Sequence, residues 1–253
     1  MTASGLLSES LLQAVGVVIV SLSVLMVAAH TGILALAARR TTLSSSTQLS
    51  VPLVVGAALA LWVGWAVLAV RSPVVVSPPE AAAQRLVQQP RLLLVMLAMF
   101  AAGILLLFAS KSVRAINAAT PPEWLIGVQS YRVAGGMFLW PFLAAGALPA
   151  SFALPAGIGD VLTGIAAPAV ALAIARGWPS ARAWAIAWNC FGILDLILAP
   201  VAAVISRAPN VGRFPLVVVP LFLGPPLGIL THIYSLRNLV VSGGRAGSRP
   251  SAG

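Results

Sequence analysis

The sequence predicts an all-α protein that crosses a membrane as a bundle of seven helices, and three observations lead to this. Of the 253 residues, 60% are hydrophobic and only 8% are charged. The apolar residues fall into runs long enough to cross a bilayer, which needs roughly 20 mostly apolar residues. The basic residues between these runs are unequally distributed. The predicted spans cover residues 11–38, 51–70, 92–109, 124–148, 152–175, 183–205 and 214–236.

The first run, residues 11–38, is predicted to stay in the protein as a helix. No Lys or Arg precedes Leu11, and the run is 28 residues long. A cleaved signal peptide would have a basic start and a shorter apolar core. We therefore expect a retained first span.

The longest connection, residues 71–91, is predicted to contain a short surface helix at about 78–89. The Ser-Pro-Pro-Glu sequence at 77–80 reads as a capping box with proline at the first helical position, and Pro90 ends the run. A solvated linker is the alternative.

The basic residues orient the predicted spans. With the N-terminus outside, nine of them flank the spans on the inner side and five on the outer side. Inner connections carry an excess of Lys and Arg, so an N-out, C-in orientation is predicted. Trp124, Trp178 and Trp184 then fall near the inner interface, where aromatic residues are enriched.

Residues 1–241 are predicted to form one membrane domain, because no polar stretch is long enough for a separate soluble domain. Residues 242–253, rich in Gly, Ser and Arg, are predicted to be disordered. The abundance of Arg, Ala, Gly and Pro is what GC-rich codons produce, which points to a multi-pass protein of a bacterial inner membrane. A homo-oligomer is compatible with the sequence.

Composition also excludes several classes of site. One cysteine, Cys190, and two histidines provide no disulfide, no cysteine-cluster metal site and no histidine-rich metal centre. The net charge of +10 comes from basic residues scattered through the connections, so we expect contact with anionic lipid and no nucleic acid. No cofactor is expected.

Arg132 is the first candidate site residue, because it lies inside a predicted span. A charge in a span costs on the order of 3 kcal/mol on insertion scales. Gln129 precedes it by one turn, and Gly135 and Gly136 follow by one turn, which suits close packing against another helix. Arg132 is either an anion-binding or counter-charge position, or else a structural ion pair or a side chain that reaches the inner head groups.

Asp195 is predicted to lie close to the middle of its span, where its short side chain cannot reach water. It must be protonated or paired. Arg132 could reach it, and Asn189 could add a hydrogen bond. His30 could join them, although a core histidine is the simpler interpretation, and His232 is predicted to form hydrogen bonds near the inner interface.

Asp160 follows Leu154-Pro155-Ala156-Gly157-Ile158-Gly159, and it has two interpretations. It is the N-cap of a helix delayed by Pro155 and the glycines, or it is a buried site residue for a solute, ion or lipid. The sequence Gly-Ile-Gly-Asp at residues 157–160 resembles the Gly-x-Gly-Asp element of intramembrane aspartyl proteases. That resemblance implies that Asp160 and Asp195 together activate a water.

The last span contains Pro225 and Pro226 near its midpoint, and these remove two amide donors. Unsatisfied carbonyls at that depth persist only against protein or a water-filled cavity, so we expect a broken helix beside the site. A plain proline kink is the alternative.

The pattern QSYRV, LPASFALPAGIGD, WNCFGILD and HIYSL, over about residues 129–236, is similar to that of uncharacterised bacterial inner-membrane proteins of this size. The resemblance implies the topology and no activity.

Three functions remain open from the sequence. The leading hypothesis is a small transporter or permease-like protein for a small solute or ion, with its site between spans four and seven. The second is an intramembrane aspartyl protease. The third is a non-catalytic assembly or structural subunit, whose buried charges only fix helix packing.

Overall fold

The structure is a computed structural model, and it describes residues 8–69, 90–146, 148–205 and 219–247. All regular secondary structure in these ranges is helical. The α-helices are α1 (Glu9–Ala38), α2 (Ser45–Ala69), α3 (Pro90–Ala109), α4 (Lys111–Ala119), α5 (Pro122–Gly127), α6 (Ala150–Ala175), α7 (Ala181–Ile205) and α8 (Val219–Gly247). A 3-10 helix (Val128–Gly135) and a π-helical turn (Phe138–Leu143) lie between α5 and α6.

Serine caps begin two of the helices. The Ser8 hydroxyl accepts a hydrogen bond from the Leu11 amide at 3.2 Å, and α1 follows. The Ser110 hydroxyl accepts one from the Val113 amide at 3.2 Å, and α4 follows. Such caps satisfy amides that have no partner within the helix. Because Ser110 starts a new helix, the chain bends by 89° between α3 and α4.

Neighbouring elements pack around α6, which contacts α5, the 3-10 helix and α7. One apolar cluster contains Ile126, Ala167, Trp188 and Leu239, from α5, α6, α7 and α8. A second contains Met26, Val63 and Leu223, from α1, α2 and α8. Because α8 contributes to both clusters, it packs against the first two helices as well as against α5, α6 and α7.

The outer faces of the helices are apolar. Leu61, Val54 and Ile165 are 74%, 67% and 65% exposed. A water-soluble monomer rarely exposes so much contiguous apolar surface, so these faces indicate a membrane-embedded protein.

The lengths of the apolar helices differ from the predicted seven spans. Four helical stretches in the described part of the chain are long and apolar enough to cross a membrane, namely Ser10–Ala38, Ser45–Ala69, Ala150–Ala175 and Ala181–Ala202. A fifth span results if Leu97–Leu106 and Lys111–Ala119 count as one. These helices support four or five candidate spans, and they support neither the count of seven nor the N-out, C-in orientation.

The predicted span at residues 124–148 is not one regular helix. Its backbone changes from α to 3-10 at Val128, and Trp140 is extended, with φ −142° and ψ 123°. Pro141 explains the extended residue, because a proline ring disfavours the α conformation in the residue before it. The prediction of a regular helix here is wrong, since it counted apolar residues and gave no weight to Pro141.

The predicted break at Pro225 and Pro226 is also wrong, because α8 continues through both. A proline inside a helix removes one amide donor, and its ring crowds the carbonyl four residues earlier, so α8 continues through both prolines at a cost in stability. The sequence predicts that residues 242–253 are disordered, but α8 includes residues 242–247. The predicted surface helix at 78–89 and residues 248–253 lie outside the described residues.

Candidate functional site

Arg132 lies on the 3-10 helix and is buried, with 2% of the residue exposed. Its Nε donates a hydrogen bond to Asp160 Oδ1 at 2.7 Å, and its Nη2 donates one to Asp195 Oδ2. Its Nη1 lies 3.3 Å from the Gly192 carbonyl oxygen and 3.2 Å from His232 Nε2. One guanidinium therefore joins α6, α7 and α8, and each of its nitrogens has an acceptor.

The backbone that carries Arg132 is unusual. A 3-10 helix of 8 residues is long, since such runs rarely exceed three or four residues and often mark a hinge or a strained sequence. Gly164 of α6 permits the close approach: an added Cβ would lie 3.0 Å from the Arg132 carbonyl carbon and 3.2 Å from Val133 Cα. The packing of α6 against this backbone thus fixes the depth of the guanidinium.

Asp160 lies inside α6, ten residues beyond its first residue, Ala150. Pro149 occupies the N-cap position, so the interpretation of Asp160 as a helix cap is wrong. Pro155 did not delay the helix, because it falls in the second turn and only one hydrogen bond is lost there. Asp160 instead reaches the guanidinium from the side of α6.

Asp195 approaches Arg132 from α7 and is 7% exposed. Its carboxylate packs against the backbone of α6 at Gly159, where a methyl group would overlap it. The glycine before Asp160 therefore makes room for the second aspartate. The structure brings Arg132, Asp160 and Asp195 into one group, which we call the charged cluster.

His232 of α8 also belongs beside the charged cluster, although the sequence predicted an interfacial position. It is fully buried, and its ring lies 4.9 Å from that of Trp188. A guanidinium can only donate, so His232 Nε2 accepts from Arg132, and the ring proton is on Nδ1. Nδ1 donates to Asn189 Oδ1 at 2.9 Å. The ring in this arrangement is neutral and adds no charge.

Asn189 extends this network as a fixed support. Its Nδ2 donates to the Ala185 carbonyl at 2.7 Å and to Ser235 Oγ at 3.1 Å. The amide nitrogen and the amide oxygen of Asn189 both have partners, so the side chain is fixed. It therefore fixes the ring of His232, whose Nε2 accepts from Arg132.

Two other predicted site residues lie outside the charged cluster. His30 Nδ1 is 2.8 Å from the Met26 carbonyl oxygen, and His30 Nε2 is 3.3 Å from Thr231 Oγ1. Gln129 Nε2 donates to the Gly228 carbonyl at 3.2 Å. Neither side chain has a recorded contact with Arg132.

Two buried polar atoms near Gly228 have no hydrogen-bond partner among the described residues: Gln129 Oε1 and the Tyr131 hydroxyl. A Cβ at Gly228 would lie 3.4 Å from the Tyr131 hydroxyl and 3.9 Å from Gln129 Oε1. Both atoms thus face the same point of α8. Buried polar groups normally have a partner, so a bound molecule would satisfy them.

A cavity of about 90 Å³ lies beside the charged cluster, on the side of the N-terminal half of α1. This volume has room for several water molecules. Arg132, Asp160, Tyr131 and Pro225 line it. Most of the remaining wall is apolar and includes Ile19, Leu22, Met26, Phe138, Phe152 and Leu196. Pro225 therefore borders the cavity without breaking α8.

The two carboxylates differ in their access to this cavity. The Asp160 side chain is 23% exposed, whereas that of Asp195 is 8% exposed. Only Asp160 of the two lines the cavity wall. Within the described residues, no group of three or more His, Cys, Asp or Glu side chains could hold a metal ion.

Sequence reasoning missed His232, Ser235 and Tyr131. A signal for the first two was present, since Gly228, His232 and Ser235 follow one another at intervals of four and three residues. That spacing puts small and polar residues on one face of a helix, the face that packs against another helix. Tyr131 gave no comparable signal, because its position depends on the 3-10 backbone.

The fold and the charged cluster define an all-helical, membrane-embedded protein with a buried Arg–Asp–Asp group. The chain belongs to the family described as Domain of unknown function (DUF8737), which matches residues 89–240. This range contains Arg132, Asp160, Asp195 and His232, whereas α1 and α2 lie before it. No curated protein and no solved structure matches the chain.

Proposed function

We propose that the protein is a small transporter or permease-like protein that binds a small solute or ion at the charged cluster. The observation that carries this proposal is the position of Asp160. Its carboxylate is held by a buried arginine and is also exposed to a cavity. Buried charges of this kind in a membrane commonly mark a substrate or ion pathway.

The cavity favours this proposal over a purely structural subunit. An ion pair that only fixes helix packing is expected to be sealed from water on all sides. Here Arg132 and Asp160 both line the cavity wall. The exchange of a ligand at the charged cluster requires such an opening.

The charged cluster gives the protease alternative less support. An aspartyl protease keeps one of its two carboxylates protonated so that both can act on one water. In this protein Arg132 donates to both Asp160 and Asp195, so a guanidinium already occupies the hydrogen-bonding edge of each carboxylate. The guanidinium also takes the position between them that a catalytic water would need.

We further propose that the chain crosses a bacterial inner membrane seven times, with its N-terminus outside and its C-terminus inside. The two crossings beyond the apolar candidates would be α8 and the segment from α5 to Leu143. Arg39 at the end of α1 and Arg176 at the end of α6 support this, because basic residues are enriched at the inner ends of spans. A reporter fused after Gly253 should then be active in the cytoplasm, and external activity would contradict the orientation.

Reconstituted flux tests the transport proposal. Purified protein in proteoliposomes on a solid-supported membrane would be exposed to steps of proton, sodium, potassium, small amines and small carboxylates. We expect at least one current that Asp195→Asn removes and that Glu123→Gln, which changes a carboxylate outside the charged cluster, leaves intact. An unchanged current in Asp195→Asn would contradict the role of the charged cluster.

A further inference from the structure

With both aspartates ionised, the charged cluster contains more negative than positive charge. It contains two of the five acidic residues of the chain and one arginine. His232 adds no charge, because it accepts a hydrogen bond from Arg132 and donates its one ring proton to Asn189. The net charge of this form is −1, and an unpaired buried charge is costly. A cation bound beside the charged cluster would balance this charge.

Of the two carboxylates of the charged cluster, Asp160 is the one that a cation in the cavity can contact. Asp195 is 8% exposed, lies against α6 at Gly159 and does not line the cavity. Asp160 uses Oδ1 for Arg132, and no hydrogen bond to its Oδ2 is recorded within the described residues. The free edge of the Asp160 carboxylate is thus the place where a cation would bind.

The cavity wall determines what kind of cation fits. Apart from Arg132 and Asp160, the polar residues that line it include Ser23 and Tyr131. Ser23 donates its proton to the Ile19 carbonyl at 2.8 Å, and the Tyr131 hydroxyl is buried without a partner among the described residues. Phe138 and Phe152 pack edge to face in the same wall, with ring centroids 5.5 Å apart. The wall is therefore mostly apolar and contains the carboxylate of Asp160.

We propose that this cavity binds a small apolar ammonium ion, with its nitrogen at the Asp160 carboxylate and its hydrocarbon part against Phe138, Phe152 and Leu196. The proposal rests on the proposed function and names the substrate class of the same site. The ammonium would balance the second carboxylate of the charged cluster when both aspartates are ionised.

Other occupants match the wall less well. An anion would meet the net negative charge. A hard inorganic cation takes about six oxygen ligands, whereas the described wall offers the carboxylate of Asp160 and the hydroxyls of Ser23 and Tyr131. A proton would neutralise Asp160, but it would leave the apolar part of the cavity unfilled.

The test uses the full chain in lipid nanodiscs and three probes of similar shape and different charge. Benzylamine is a cation at neutral pH, benzyl alcohol is neutral and benzoate is an anion. Binding is measured by calorimetry at millimolar probe concentration. We expect benzylamine to bind at least about tenfold more tightly than either other probe. Asp160→Asn should remove this preference, and Glu123→Gln should retain it.

Each outcome decides the proposal. Equal binding of benzylamine and benzyl alcohol, tighter binding of benzoate, or no binding of benzylamine to the wild type would overturn it. Unchanged benzylamine binding in Asp160→Asn would also overturn it. The charge comparison in the wild type needs no variant, so it holds even if Asp160→Asn fails to fold. Amine binding without any flux would support the ligand class and contradict the transport proposal. Flux of other solutes without amine binding would support transport and contradict the ligand class.

Discussion

The unequal number of charges in the charged cluster predicts an unequal response to substitution. Arg132→Gln leaves two buried carboxylates without a cation, whereas Asp160→Asn leaves Arg132 balanced by Asp195. Removal of arginine should therefore destabilise the protein much more than removal of either aspartate. A simple one-to-one ion pair would instead give similar losses for both partners.

The structure gives the approximate size of these losses. Loss of one partner from a buried ion pair costs about 3–5 kcal/mol, so we expect Arg132→Gln to lower the free energy of unfolding by at least that amount. Asp160→Asn removes one charge-assisted hydrogen bond at a side chain that is 23% exposed, so we expect about 1 kcal/mol or less. Asp195→Asn should cost about 1–3 kcal/mol, because its carboxylate is 8% exposed.

A double variant tests the same reasoning without reference to absolute stability. Arg132→Gln with Asp195→Asn leaves one carboxylate, and that one lines the cavity. We expect the double variant to be more stable than Arg132→Gln alone by about 1–2 kcal/mol, because neighbouring charges do not contribute additively. Two independent sites would make the double variant less stable than either single variant.

The assay is reversible unfolding in mixed micelles, followed by helical circular dichroism and by fluorescence of the tryptophans. Glu123→Gln is the control, since it removes a carboxylate outside the charged cluster. A loss below about 1 kcal/mol for Arg132→Gln would refute the charge argument, given the usual cost of an unpaired buried charge. A double variant less stable than Arg132→Gln would refute it as well.

Three further predictions concern the packing around the charged cluster. Gly164→Ala should lower the unfolding free energy by about 1–3 kcal/mol, because its Cβ would meet the backbone of Arg132. Gly64→Ala is the control in the same unfolding assay. Nothing lies within 4 Å of its Cβ, so this variant should be neutral or stabilising by about 0.5–1 kcal/mol. Asn189→Asp should cost about 1–3 kcal/mol, since Nδ2 donates to the Ala185 carbonyl and a carboxylate oxygen there would repel it; a variant as stable as wild type would contradict this. Asn238 Nδ2 donates to the Asn117 and Thr120 carbonyls at 2.7 and 2.9 Å. Asn238→Ala should therefore destabilise the end of α4 by about 1–2 kcal/mol. Faster amide hydrogen exchange near Thr120 would show this.

Most of the long helices could be predicted from the sequence, because apolar run length alone identifies them. The run at residues 11–38 closely matches α1 (Glu9–Ala38), and that at 183–205 closely matches α7 (Ala181–Ile205). Run length fails where backbone geometry changes inside an apolar stretch. Pro141 interrupts such a stretch, and Pro225 does not, so a proline in a run does not by itself decide the outcome.

The charged cluster was less accessible to sequence reasoning, because side-chain direction depends on the rotation of each helix. The depth of Arg132 does not follow from the rise of an α-helix, about 1.5 Å per residue, because Arg132 lies on a 3-10 helix, which rises about 2.0 Å per residue and turns differently. The sequence identified Arg132 and Asp195 as charges that need partners. It did not identify His232, whose ring is directed at Arg132 by Asn189, a contact between two helices.

The contact of one guanidinium with both aspartates is the central claim, and solid-state NMR in bilayers measures it directly. The chain contains two aspartates, Asp160 and Asp195, so carboxyl ¹³C labelling of aspartate gives two resonances. With ¹⁵N-labelled arginine, we predict that both carboxyl carbons lie within about 4 Å of a side-chain nitrogen, as charge-assisted pairs require. Both couplings should disappear in Arg132→Gln. A carboxyl carbon without a nearby arginine nitrogen in the wild-type protein would contradict the arrangement.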